Sequence, residues 1–242
     1  MKAEPKLRIP ETGPSFEGYE LPEPVGSIGD PSYSRAADAI RRDIIEGRFA
    51  DGERLITMEL AQRYGLSLAP IREALHQLSA EGIVVIQPKR GAVVRAITPA
   101  FLEEIYEIRL GLVPYLEGER AALATDADVE RMLAIEAAYE KAAAAGLHEE
   151  VIHRNIEFHG VALAIRPNRE ALQILRRHHL LVRALRVRHG FTRGRLDQVI
   201  EEHHRIIAAY RRRSPQEAQE VSRLHLRNAY EELLELIGMK TA

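Results

Sequence analysis

The chain has 242 residues, enough for one large domain or two modest ones, and 45% hydrophobic against 29% charged residues is the balance of a folded globular protein. It has no cysteine, which excludes disulfides and thiolate chemistry; no apolar run approaches the roughly 18–20 residues of a membrane span, and the start lacks a secretory-type apolar stretch, so a cytoplasmic location is expected. The net charge of −2 does not announce nucleic acid, although Tyr33 to Arg95 carry ten Lys and Arg against eight Asp and Glu, where the first 32 residues carry three against six.

Residues 1–32 hold six prolines and four glycines with little apolar periodicity, which reads as a flexible tail. In the next stretch Ala36, Ile40, Ile44 and Ile45 recur at helical spacing and Gly47 is a stop. A short helix follows, with Thr57 as the expected N-cap and Gly65 as its end. After the turn Gly65-Leu66-Ser67 comes a second helix, which Ser67 is placed to cap and in which Pro70 is tolerable only in the first turn. Two β-rich runs then flank Pro88-Lys89-Arg90-Gly91, a hairpin signal.

From Thr98 the texture is nearly all helical. Thr98-Pro99 is a cap followed by proline at the first helical position. Thr125-x-x-Asp128 and Ser214-Pro215-x-Glu217 are further starts, the second read as a capping box. Breaks near Gly146, Pro167-Asn168, Gly190–Gly194 and Ser214 leave six or seven helices, the texture of a bundle. The fold class expected is therefore mainly α: a winged helix-turn-helix domain over residues 33–95 and an all-α bundle over 99–236, joined near Arg95–Pro99.

Helix, helix-turn-helix and two-stranded hairpin is the order of a winged helix-turn-helix, whose second helix enters the major groove of DNA with its N-terminal residues at the bases and phosphates. Arg72 then lies near the groove, with a planar fork suited to guanine or phosphate, and Lys89 and Arg90 at the hairpin tip reach an adjacent groove or the backbone. Modules of this shape also serve protein contacts. The segment resembles the DNA-binding domain of the GntR family of bacterial transcription regulators. The resemblance rests on Gly47, Gly52, Leu55, Leu60, Ala61, Gly65, Ser67, Pro70, Arg72, Glu73, Ala74, Leu75, Leu78, Glu81, Gly82, Arg90 and Gly91. It implies DNA contacts from Ser67, Arg72, Lys89, Arg90 and Gly91. The family's DNA-contacting arginine after the serine is Leu68 here, followed by Ala69 in place of threonine. An apolar patch thus stands where a polar reader is usual; it suits a thymine methyl and implies a different operator.

Ten histidines are spread along the chain. Asn155 and His159 are spaced i, i+4 on one helix face, while His203, or its neighbour His204, and His225 lie in two later amphipathic helices. Three inward histidines on three helices suit a metal in a bundle core, with His153, His178 and His179 as competitors that spacing does not dismiss. The C-terminal region resembles the FCD (FadR C-terminal domain) effector domains of one GntR branch. The match is carried by Asn155/His159, Glu202-His203-x-x-Ile206, Ala218 to His225, Asn168-x-x-x-Leu172 and Arg109. That resemblance implies a divalent metal, zinc or nickel, held by Asn155, His159, His203 and His225, beside a small organic acid met by Arg109, with Arg183 as a second candidate cation. Asn155 replaces the family's aspartate and Val113 a glutamate, and Pro114 is expected to interrupt its helix.

The function expected is a homodimeric DNA-binding regulator, a repressor, whose grip on operator DNA is set by a small carboxylate bound near the metal. The alternative is a metal-dependent enzyme or ligand-binding protein acting on a small carboxylate, with Glu157 or Glu202 as base and the winged module kept for protein contacts.

Overall fold

The computed structural model describes residues 31–192 and 194–238. The tail expected over residues 1–32 lies, but for its last two residues, outside them. Helix α1 (Pro31–Ile45) turns Ala36, Ala37, Ile40 and Ile44 inward and ends at Gly47, whose φ of +76° a side chain would strain. A two-residue strand β1 (Arg54–Leu55) leads into α2 (Thr57–Tyr64), and α3 (Leu68–Ala80) follows the left-handed Gly65. Strands β2 (Val84–Gln87) and β3 (Gly91–Val94) pair antiparallel with Gln87 opposite Gly91, so Pro88–Arg90 form the hairpin tip. β1 adds to the far edge of β3, giving the sheet order β1-β3-β2. The sequence pattern does not announce β1, because two residues carry no alternation.

Two caps differ from expectation. Ile56, not Thr57, occupies the N-cap position of α2, since strand β1 runs almost directly into the helix. Ser67 does sit at the N-cap of α3, but its side chain makes no capping hydrogen bond.

Six long helices follow: α4 (Pro99–Ala121), α5 (Asp126–Ala144), α6 (His148–Ile165), α7 (Arg169–His189), α8 (Arg195–Arg211) and α9 (Pro215–Gly238). Thr98 caps α4 by accepting from the Phe101 amide at 3.2 Å. α4 continues through Pro114, so the interruption expected there does not occur; the proline removes one amide donor within an otherwise unbroken helix. The capping box belongs to α5, where Thr125 and Asp128 each satisfy the other's amide at 3.2 and 2.9 Å. At α9 only half of one forms: Ser214 accepts from Glu217, whose carboxylate turns instead to Arg212.

The bundle core is built from α4 to α9 around Met132, Phe158, Leu181, Ile206, Tyr210 and Leu233. The core of the winged segment gathers Ile40, Leu60, Ile71, Leu78 and Val84, and Leu180 of α7 packs against it. Arg188, also on α7, donates to the carbonyl of Ile44 at 2.7 Å and pairs with Asp51. One helix therefore touches both the winged segment and the bundle. Among the described residues no helix is long and apolar enough to cross a membrane.

Candidate metal centre, effector pocket and DNA-reading face

Helix α3 has a two-sided pattern that accounts for its outward residues. Ile71, Ala74, Leu75 and Leu78 are buried at helical spacing, which turns Leu68, Ala69, Arg72, Glu73 and His76 to the exposed side. Leu68 is 43% exposed at the first position of the helix, so no packing demand accounts for an apolar side chain there. Ser67 is exposed beside it. The side chain of Arg72 has no ion-pair or hydrogen-bond partner among the described residues, nor have the side chains of Lys89 and Arg90 on the exposed hairpin tip, where Gly91 is also exposed. Lys89 and Gly91 both take positive φ, which folds the tip back tightly.

In the bundle, α6, α8 and α9 bring His159, His203 and His225 together. One ring nitrogen of each lies within 4.8 Å of the others, and the ring centroids are 5.3 to 5.4 Å apart. Each helix supplies one imidazole because each is amphipathic and the histidine falls on the buried stripe, as with Val199, His203, Ile206 and Tyr210 on α8. Asn155 lies one turn before His159 and is half-buried.

The rings are held from behind. Glu136 of α5, fully buried, lies 2.6 Å from Nδ1 of His203, and Glu202 lies 2.6 Å from Nδ1 of His225. Both arrangements leave Nε2 facing the cluster, and Nε2 of His203 is a buried atom with no hydrogen-bond partner. Burial holds His203 down at about 3 and His225 at about 4, and it depresses His159 as well, so all three rings are neutral with a lone pair available at neutral pH. Burial likewise pushes Glu136 up to about 8, leaving its pair with His203 uncharged until a cation approaches. Against the cost of its own burial, Glu202 is pulled down to about 2 by hydrogen bonds from His225 and Arg195. Its oxygens are filled by Arg195 at 3.0 Å and by Asn228 and His225, so it has no free oxygen to act as a base. Glu157 is tied to Arg154 at 2.5 Å.

The residues fit a divalent cation. Three neutral imidazoles on rigid helices, each braced at Nδ1 or set by packing, and one orphaned Nε2 are the donor set and support that such an ion needs. Glu136 was not anticipated from the sequence, and neither were the carboxylate braces as a group.

Arg109 on α4 is 8% exposed, and its Nε and Nη1 are buried without partners. Burial lowers its pKa, and Tyr106, whose ring lies 5.3 Å away, offers only its face. His178 and His179 of α7 share its surroundings: burial, then the Arg109 charge, lowers them to about 4 and about 3, and His159 feels the same charge. A buried guanidinium with no carboxylate in reach is costly unless an anion joins it. Arg183 is not brought to this place. It stands exposed on α7, off the stripe of Leu175, His178, Leu181 and Leu185 that faces the bundle. His153 and His204 are exposed and paired with Glu157 and Glu140.

Comparison with known proteins shows the family of both halves. Residues 32–94 match the family of bacterial regulatory proteins of gntR type, and residues 104–228 match the FCD domain. The chain is 26% identical over 222 residues to an uncharacterized HTH-type transcriptional regulator, YdhC, of Bacillus subtilis (strain 168), covering 90% of this chain and 96% of that one. It is 28% identical over 197 residues to the HTH-type transcriptional repressor GlaR of Escherichia coli (strain K12), covering 77% and 89%. Among solved structures, a GntR regulator from Rhodococcus sp. RHA1 superposes with a TM-score of 0.64 at 21% identity, over 85% of this chain and 99% of that one, and shares the fold. The reading as an enzyme has no counterpart in this family of transcription regulators, and the chain is a DNA-binding transcription regulator of the GntR family with an FCD-type helical domain.

Proposed function

We propose that this regulator is a cytoplasmic homodimeric repressor that releases its operator when a small carboxylate binds between Arg109 and a divalent cation, zinc or nickel, held by His159, His203 and His225. The observation that carries the reading is the buried Arg109, with two unpartnered donors, in the same buried electrostatic environment as three converging neutral imidazoles. Bound there, the cation supplies a Lewis-acidic anchor for one carboxylate oxygen. Arg109 neutralises the anion and fixes its orientation, His178 and His179 bound the pocket as uncharged polar groups, and Glu136 and Glu202 keep the ligating rings in position.

Asn155 is the neutral oxygen donor available one turn before His159, which lowers the negative charge of the site relative to an aspartate and favours exchangeable binding. Two copies set their α3 helices in successive major grooves of a pseudo-palindromic site, with Ser67, Leu68 and Arg72 at the bases and Lys89, Arg90 and Gly91 on the backbone. Helix α7 links the two functions, because it carries His178 and His179 beside Arg109 and Arg188 against the reading module. The sense of repression accords with the name of the relative GlaR.

Selection of binding sites from a random duplex pool tests the reading, together with metal analysis of the purified protein. A two-fold symmetric consensus and close to one zinc or nickel per chain are expected. No selected duplex, or no metal retained after zinc or nickel is supplied, would remove the proposal.

A further inference from the structure

A second guanidinium on α4 has the same problem as Arg109 and a different solution. Arg120 lies 11 residues further on, about 16 Å along the axis and on nearly the same face, since 11 residues make about three turns. It is 1% exposed, the largest side chain buried to that degree. Its Nη1 is taken by Glu117 at 3.2 Å, and Glu117 in turn accepts from the Tyr210 hydroxyl at 2.6 Å. Nε and Nη2 are buried and have no partner. These two atoms form the side-on edge of the guanidinium, the pair of parallel donors that meets a carboxylate or phosphate in bidentate fashion.

Arg120 lines a cleft of about 180 Å³ bounded also by Leu116, Glu119, Arg166 and Asn168. Arg166, half exposed at the rim, is held back by Glu119. Asn168 caps α7 by accepting from the Ala171 amide at 3.0 Å, which sets the positive end of that 21-residue helix at the cleft. The volume is below the roughly 300 Å³ at which drug-sized pockets begin, and suits a small ion.

We infer that this cleft is an oxyanion site separate from the Arg109 pocket, taking a small carboxylate or inorganic phosphate on the free edge of Arg120. Glu117 and Tyr210 fix the guanidinium from behind. Arg166 exchanges Glu119 for the ligand as the ion enters, and the first turn of α7 adds its field.

The test follows the Arg120 Nε–H resonance in full-length protein labelled with ¹⁵N-arginine, while phosphate, acetate and succinate are titrated separately. A saturable shift of Arg120 with at least one of them is expected, and the pattern among the three separates phosphate from carboxylate recognition. The shift persists in Arg109→Met. In Arg120→Lys, which keeps the charge and loses the fork, affinity falls roughly 10- to 100-fold. Should that variant not fold, Arg166→Gln carries the test with a loss of several-fold. No saturable shift with any of the three ions overturns the inference, as does a shift lost in Arg109→Met or affinity unchanged in Arg166→Gln.

Discussion

Replacing Arg188 with alanine should uncouple the two halves of the protein while leaving each intact. The guanidinium is 20% exposed; it donates to the Ile44 carbonyl at 2.7 Å and to that of Phe49 at 3.4 Å, and it pairs with Asp51. A charge-assisted hydrogen bond contributes about 1.5–3 kcal/mol. Asp51 is more than a third exposed, so its pair adds no more than about 1 kcal/mol. The anchor as a whole is thus worth about 2–4 kcal/mol, as large as the 1–3 kcal/mol by which two ligands on one protein typically influence each other. Fluorescence anisotropy of a labelled operator, with and without the carboxylate that moves wild-type affinity, reads the coupling. In Arg188→Ala the ratio of the two dissociation constants should collapse from roughly 5- to 150-fold toward one, with carboxylate binding itself changed less than about twofold. Arg188→Lys should fall between. A variant that keeps the full ratio would refute the assignment of α7 as the connection.

Other outcomes follow from the same geometry. Leu68→Arg should change the selected operator sequence and steepen the salt dependence by about one phosphate contact; an unchanged consensus with unchanged slope counts against the role given to Leu68. Glu136→Gln should weaken zinc or nickel binding roughly 10- to 100-fold in competition with a chromophoric chelator, because the brace behind His203 loses its charge; an unaltered affinity would deny Glu136 that role. In metal-free protein burial depresses five histidines, His178 and His225 to about 4, His179 and His203 to about 3, and His159 in the same direction. Their contribution to stability is fully present above the unfolded value of about 6.5 and is lost as pH falls toward 4. Glu136, raised to about 8, runs the opposite way as a single group, so the melting temperature should drop between about pH 7 and pH 5; a rise would show the rings are not held neutral.

The reading module was largely legible in the sequence, because its signals are local: the buried stripe of α3, the left-handed Gly65 and the Pro88–Gly91 tip each declare themselves within a dozen residues. Its failures were also local in origin. A residue type that favours an N-cap fixes neither the helix start nor where its hydroxyl points: Thr57 falls one position inside α2, Ser67 sits at the cap without bonding, and the capping box formed at Thr125 rather than Ser214. The histidine cluster joins residues 44 and 22 positions apart, and only the resemblance singled out that trio from the other histidines. Glu136 lies in a plain alanine-rich stretch and becomes a brace only when α5 packs on α8. Helix α7 carries arginines at 169, 176, 177, 183, 186 and 188, and composition does not say which is turned inward; Arg186 is, pairing with Glu232 at 2.5 Å, while Arg183 faces out.

The central claim is that a carboxylate at Arg109 sets the affinity for DNA. Its most direct test is operator affinity measured on metal-loaded wild type and Arg109→Met across a panel of small mono- and dicarboxylates. At least one acid should weaken wild-type binding by roughly fivefold or more. Arg109→Met should bind the operator as tightly as wild type without acid and ignore every acid in the panel. A wild type that no acid affects, or a variant that responds as wild type does, would contradict it.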